Sequence, residues 1–290
     1  MPWLLLTIAS AFLKTITEIM RKRLLLKRVN AFSVALLTGG IASVLLPLVF
    51  WSQADFTFSE KTFQLLIVQA ILNCITFYII LEGFRRWDAS RASPMANFSP
   101  LFAALLGFLV LGEMLSITQF AGIGLIVIGS LFLEGHGIHW RKWLSKREDR
   151  QTFLMIIGGA ALWSVHMLIA KIVLQEINVY TNAIVFTWLY TGFYIAWLAV
   201  RKPLQGNVFQ SLRKHHKQFV ILVIFDYAHY LLLLAALAIP GAMLSLIAPI
   251  HRINSIFTVL IGGKLLKEKY VLKRALATVI MIAGVWFIAS

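Results

Sequence analysis

The sequence predicts an all-α integral membrane fold, ten transmembrane helices arranged as two inverted five-helix repeats. Three observations predict it. Hydrophobic residues make up 60% of the 290 positions and charged residues only 13%, too little polar surface to cover a water-soluble globule. The stretch from Pro94 to Glu113, PMANFSPLFAALLGFLVLGE, returns from Pro249 to Glu268 as PIHRINSIFTVLIGGKLLKE. Aligned without a gap, the two copies match Pro94 with Pro249, Phe102 with Phe257, Leu105 with Leu260, Gly107 with Gly262, Leu111 with Leu266 and Glu113 with Glu268, and the register continues to Gly129 with Gly284 and Phe132 with Phe287. Finally, basic residues fall almost entirely in alternate connections.

A bilayer core about 30 Å thick needs roughly 20 apolar residues per helix. Dividing the chain at its charge clusters places helices near residues 3–21, 31–51, 62–82, 90–111, 116–134, 152–174, 181–200, 218–238, 242–263 and 270–288. The first of these lacks a basic region ahead of it and a clear cleavage site after it, so it reads as a retained helix. The domains follow: residues 1–134 as one five-helix repeat, 135–151 as a cytoplasmic connection and 152–290 as the second repeat. Five being odd, the second repeat must sit upside down relative to the first.

Lys61 is the only Lys or Arg in the even-numbered connections, and Lys14, Lys171 and Arg252 fall inside helices. The rest of the 27 lie in the odd-numbered connections, beginning with Arg21, Lys22, Arg23, Lys27 and Arg28. By the positive-inside rule both termini face the non-cytoplasmic side. The net charge of +15 is then a topology signal and a contact with anionic lipid heads, and nucleic acid is not an expected partner. The single cysteine, Cys74, sits in an apolar run and excludes a disulfide framework.

The SPLFAALLGFLVLGE pattern, its glycine-punctuated following helix, and the Gly-Glu or Lys-Glu endings at Glu113 and Glu268 resemble the EamA-type families of the drug/metabolite transporter superfamily. The resemblance covers the whole chain. It implies a transporter, more often an exporter, of amino acids, other small metabolites or drugs, with no cofactor, in the bacterial inner membrane, and a central cavity lined by the fourth and ninth helices. The chain departs from the family pattern at Glu82-Gly83-Phe84-Arg85-Arg86-Trp87 and at His251-Arg252, and its charge count opposes the cytoplasmic termini often drawn for members.

Charges at mid-bilayer cost about 2.5–3.5 kcal/mol on insertion scales, so they should face a cavity or a partner. Arg252, beside His251 and near Asn254, offers a planar fork suited to a carboxylate or phosphate. The structural alternative pairs it with Asp226 or Glu18. Asp226, His229 and Tyr230 share one helix face, which suits either a proton-coupling site or a hydrogen-bonded structural triad. Lys14 and Glu18, at i and i+4, suit an internal ion pair or a gate. Lys171 is expected to snorkel to the outer interface. Asn73, Asn97, Tyr78, Trp163, His166 and Trp188 complete the candidate substrate path, the amides because buried amides demand partners.

Other motifs fail on context. Gly122-Ile123-Gly124 lacks dinucleotide-binding spacing, and His215-His216, His136 and His139 have no accompanying ligands, so neither a metal nor a catalytic set is expected. Ala121, Gly122, Gly129, Ala283 and Gly284 suit a homodimer interface or packing within the bundle. The reading favoured is a secondary transporter for a small polar, acid-bearing metabolite, in contact with membrane lipids. The alternatives are a flippase for a lipid-linked anionic head group, an intramembrane enzyme without a recognisable catalytic set, and a non-transporting assembly subunit.

Overall fold

The computed structural model describes the backbone of residues 1–27, 29–86, 98–133, 147–200, 205–254, 256–257 and 271–289. These residues form ten α-helices: α1 (Pro2–Leu26), α2 (Ala31–Phe50), α3 (Glu60–Arg86), α4 (Ser99–Leu111), α5 (Ile117–Leu133), α6 (Arg147–Val173), α7 (Val179–Val200), α8 (Gln205–Ala238), α9 (Leu244–His251) and α10 (Val271–Ala289). No strand occurs among the described residues. Six helices, α1, α2, α3, α6, α7 and α8, are long and apolar enough to cross a membrane, and α4, α5 and α10 are shorter apolar helices. Outward-facing apolar side chains such as Leu48, Ile117 and Val200, each more than 70% exposed, are what a lipid-facing surface requires.

Local chemistry sets the ends. Pro2 opens α1, where a missing N–H costs nothing, and the Asn30 side chain caps α2 by accepting from the Phe32 N–H at 3.0 Å. Glu148 and Asp149 sit in the first turn of α6, matching its dipole. Gly112, at φ 65°, stops α4 in the left-handed conformation while the Glu113 N–H bonds to the Gly107 carbonyl at 3.0 Å. The chain bends within α8 at His215, where φ is −128° and ψ is 19°.

Two of the expected helices end differently. The described part of the fourth begins at Ser99 and that of the ninth stops at His251, followed by turns through Ile253. Residues 90–97 and 258–263, with Asn97, and further on Glu268, lie outside the described residues. The first helix runs longer than expected, to Leu26, so Arg21 is a helical residue and not part of a connection.

Helix packing follows a regular scheme. α1 packs on α8 and α3 on α6; α2 packs on α7, α4 on α9 and α5 on α10; α3 also meets α7 as α2 meets α8, and α4 meets α6 as α1 meets α9. Exchanging every helix for the one five places away turns this set of pairs into itself. At the α5/α10 contact, Gly122 lies against Gly284 and Ile288 while Gly129 lies against Ala277 and Met281, so the two helices run antiparallel. Those glycines therefore pack two helices of one chain, with backbones close enough that no Cβ fits between them.

Candidate functional site

A cavity of about 150 Å³ opens among the six long helices. Its described lining comes from α1 (Lys14, Arg21), α2 (Val34, Ala35, Thr38, Gly39), α3 (Asn73, Phe77), α6 (Trp163, His166), α7 (Phe186, Tyr190) and α8 (Asp226, Tyr227, His229, Tyr230). The resemblance pointed to the fourth and ninth helices; their described residues are not in this lining, and residues 90–97, 255 and 258–263 lie outside the described residues.

On α1, Lys14, Glu18 and Arg21 fall at i, i+4 and i+7, hence on one face. Arg21 Nη2 donates to Asp226 Oδ2 at 2.6 Å, joining α1 to α8. Asp226 Oδ1 lies 3.4 Å from His229 Nε2. Asp226 is thus bridged to Arg21, where the sequence had offered Arg252 paired with either Asp226 or Glu18. Lys14 Nζ and Glu18 Oε1 stand 3.9 Å apart, the intrahelical pair expected from their spacing.

Glu18 also accepts from Asn254 Nδ2, at 3.0 Å to each oxygen, and Thr15 Oγ1 donates to the Asn254 carbonyl at 3.0 Å. His251 is packed behind His229, with ring centroids 6.1 Å apart, and its Nε2 lies 3.2 Å from Ser10 Oγ, which donates to the His229 carbonyl at 2.7 Å. Arg252 donates to Ser99 Oγ through Nη2 at 2.5 Å and Nε at 3.2 Å. His251, Arg252 and Asn254 therefore fasten the end of α9 to α1, α4 and α8, adjacent to the cavity, and are not among the residues lining it.

The remaining lining includes neutral and aromatic side chains. His166 is fully buried; its Nδ1 lies 3.2 Å from the Gln69 carbonyl oxygen, and its ring stacks on Trp163 at 5.1 Å. Tyr230 receives a hydrogen bond from Gln69 Nε2 at 3.3 Å and donates to Asn182 Oδ1 at 3.4 Å. Tyr78 and Trp188 do not join this group. Tyr78 is half exposed and packs against Trp197, while Trp188 is 40% exposed and donates from Nε1 to the Ser43 carbonyl at 3.0 Å.

Two further polar clusters tie the connections together. Glu113 Oε1 accepts from the Leu244 N–H at 2.7 Å and Oε2 from the Ser245 N–H at 2.9 Å and Ser245 Oγ at 2.5 Å, capping α9 from another part of the chain. Burial opposes the charge on Glu113, but the Ser245 and Leu244 hydrogen bonds and Lys171 outweigh it and hold the carboxyl below its ordinary range. Lys171 Nζ lies 3.2 Å from Glu113 Oε1 and donates to the Ala242 carbonyl, both in connections between helices. In the second cluster Glu176 accepts from Thr62 Oγ1 and from the Ser59 backbone N–H and hydroxyl, which lower its pKa, and Thr181 exchanges hydrogen bonds with the Asp55 backbone at 2.8 and 2.9 Å. It links the α2–α3 connection to the α6–α7 connection. No group of three or more potential metal ligands occurs among the described residues.

The sequence as a whole decides the family. The EamA-like transporter family model matches it over residues 1–134 and again over 151–290. This chain belongs to the EamA-like transporter family. The chain is similar to an uncharacterized transporter of Methanothermobacter thermautotrophicus, 22% identical over 237 residues, which cover 81% of this chain and 67% of that one. It is also similar to the uncharacterized transporter YwfM of Bacillus subtilis, 34% identical over 68 residues, 23% of each chain. A solved crystal structure, described only as that of a protein, shares the fold with a TM-score of 0.77 at 13% identity, covering 99% of this chain and 98% of that one. The protein is thus a multi-pass integral membrane protein of a transporter family.

Sequence reasoning missed Arg21, Phe77, Phe186 and Tyr227 in the EamA cavity wall. Arg21 was hidden by the basic cluster that follows it, although its seven-residue spacing from Lys14 was the available signal. The aromatic residues carry no such signal, because a ring on a lipid-facing helix and a ring on a cavity wall look alike in sequence.

Proposed function

We propose that this EamA protein is a secondary active transporter that moves a small polar, acid-bearing metabolite, an amino acid or related compound, across the bacterial inner membrane by alternating access. The observation that carries the reading is the central cavity. Lys14 and Arg21 line it with Asp226, and although Glu18 stands 3.9 Å from Lys14 and Asp226 is bridged to Arg21, these two cations are the groups we propose to meet the acid of the solute. The exchange-symmetric helix packing and the antiparallel α5 and α10 support an inverted pair of five-helix units, each able to rock against the other. Export is the direction proposed, in keeping with the family's habit, with both termini on the non-cytoplasmic side. Asp226 and His229, 3.4 Å apart at the cavity, are the proposed proton-coupling pair.

A thermal-shift screen of the purified protein against amino acids, organic acids, phosphorylated metabolites and lipid head groups tests this. An acid present at 100 times its Kd adds about 2.7 kcal/mol to stability, a readily measured rise in Tm. Acid-bearing compounds should give the hits, and Lys14→Gln should weaken them while remaining folded. Hits confined to neutral or cationic compounds would overturn the reading. Hits are then followed in proteoliposomes under an imposed pH gradient; unchanged coupling in Asp226→Asn would remove Asp226 from the proton path.

A further inference from the structure

The eighth helix is longer than a bilayer needs. Its 34 residues would reach about 50 Å at 1.5 Å per residue, against a hydrocarbon core about 30 Å thick. The surplus is taken up at His215, where the backbone leaves helical geometry at φ −128° and ψ 19°. Beyond the bend, residues 216–238 have roughly the length that crosses a bilayer, about 35 Å. Residues 205–214 are therefore left at the membrane surface.

That first segment has two faces. Val208 is 6% exposed and Leu212 is partly buried, at i and i+4, and both pack in the apolar cluster that holds Leu24 of α1 and Phe219. Phe209 and Arg213, also at i and i+4, share the outward face, and Phe209 is 72% exposed. An apolar ring beside a cation on the outer side of a short surface helix is the pattern of a segment lying in the head-group layer.

Other cations gather at the same place. Lys214 and Lys217 are exposed at the bend, and Arg23 and Lys27 are exposed at the end of α1, which packs on α8. Lys27 and Lys214 both act electrostatically on His215, which brings lysines of two helices around one point. None of Arg23, Lys27, Arg213, Lys214 and Lys217 is ion-paired to a described carboxylate. The sequence supplies none locally, since no Asp or Glu occurs between Glu18 and Asp55 or between Glu176 and Asp226. Like charges held together repel one another, and an anion placed among them relieves the repulsion.

We propose that the corner between the end of α1 and the bend of α8 is a site for one anionic phospholipid, its phosphate among Lys27, Arg213 and Lys214 and its acyl chains over Phe209. The cations call for the phosphate, and the exposed ring calls for the chains. A lipid held there fastens α1 to α8 at the membrane surface, and both helices line the cavity. The site is separate from the solute's, so it does not rest on the acid-bearing reading.

The test counts bound lipids by native mass spectrometry on the full chain in detergent, titrated with dioleoylphosphatidylglycerol, dioleoylphosphatidylcholine or glycerol phosphate. The phosphatidylglycerol should bind at least about tenfold more tightly than the phosphatidylcholine, and glycerol phosphate, which has the anion without the chains, should not bind measurably. Lys27→Gln and Lys214→Gln should each weaken the phosphatidylglycerol about fivefold, while Lys214→Arg retains the affinity. Phe209→Ser should weaken both lipids about fivefold. The pair Arg147→Gln and Arg150→Gln removes two exposed cations from the first turn of α6, beside Glu148 and Asp149, and should leave binding unchanged. Equal binding of the two lipids overturns the inference, and glycerol phosphate bound as tightly as the phosphatidylglycerol replaces it with a site for soluble anions. A loss from the Arg147 and Arg150 pair as large as that from Lys27 and Lys214 together also overturns it, because binding would then follow overall charge and not this corner.

Discussion

Removing one end of the Arg21–Asp226 bridge is the perturbation whose size follows most directly from the geometry. At 2.6 Å and an effective dielectric constant near 20, the gross attraction is about 6 kcal/mol. Desolvation of both groups offsets most of it, and the Arg21 side chain is 34% exposed, which discounts the rest. A net coupling of about 2 kcal/mol remains. Either Arg21→Met or Asp226→Asn alone should cost about 3 kcal/mol, because the abandoned partner stays among α1 and α8 side chains without its counter-ion. The double variant should cost less than the sum by that coupling. Thermal unfolding in one detergent measures the cycle, with roughly 2–4 °C expected per kcal/mol. If the two single losses simply add, within about 0.5 kcal/mol, the bridge does not join the two helices and the reasoning fails.

Other expectations follow from separate parts of the molecule. A Cβ on Gly122 would lie 2.6 Å from the Gly284 carbonyl oxygen, whereas one on Gly124 meets nothing within 4 Å. Gly122→Ala should therefore destabilise by about 1–3 kcal/mol and Gly124→Ala stabilise by up to about 1 kcal/mol, which paired melting curves would reveal. Glu113, its pKa depressed in the folded protein, contributes stability that is full above the ordinary glutamate value near 4.3 and is lost as pH falls through the lower folded value. Glu113→Gln should flatten the acid limb of a Tm-against-pH curve, and an unchanged limb would refute the assignment. Glu176→Gln should accelerate hydrogen–deuterium exchange at residues 54–62 and 174–181 with little change elsewhere, since its carboxylate accepts from Ser59 and Thr62.

Helix number and type were legible because lipid imposes a simple rule: apolar runs of a fixed length, separated by charge. Helix ends were less legible where apolar and charged residues mix, as along α1, whose last turn carries Arg23. Of the site, Lys14, Asp226, His229, Tyr230, Asn73, Trp163 and His166 were readable as polar or aromatic residues deep within apolar helices, and all line one cavity. Tyr78 and Trp188 were chosen by depth alone, and depth does not say which way a helix face turns. The partners of charges were the least legible, because Arg21 and Asp226 are separated by 205 positions and only packing brings them together. The work of Glu113 was legible as a recurring signature, but its role as the cap of a helix more than a hundred residues later was not.

The cavity wall is drawn half from α1, α2 and α3 and half from α6, α7 and α8. A chain cut in the connection between α5 and α6 would leave two fragments, each bearing one side of a trough. The cations Lys14 and Arg21 would go with the first fragment, and Asp226, His229, Trp163 and His166 with the second. Neither fragment alone could enclose the cavity, so the recognition proposed here would belong to the join and not to either half.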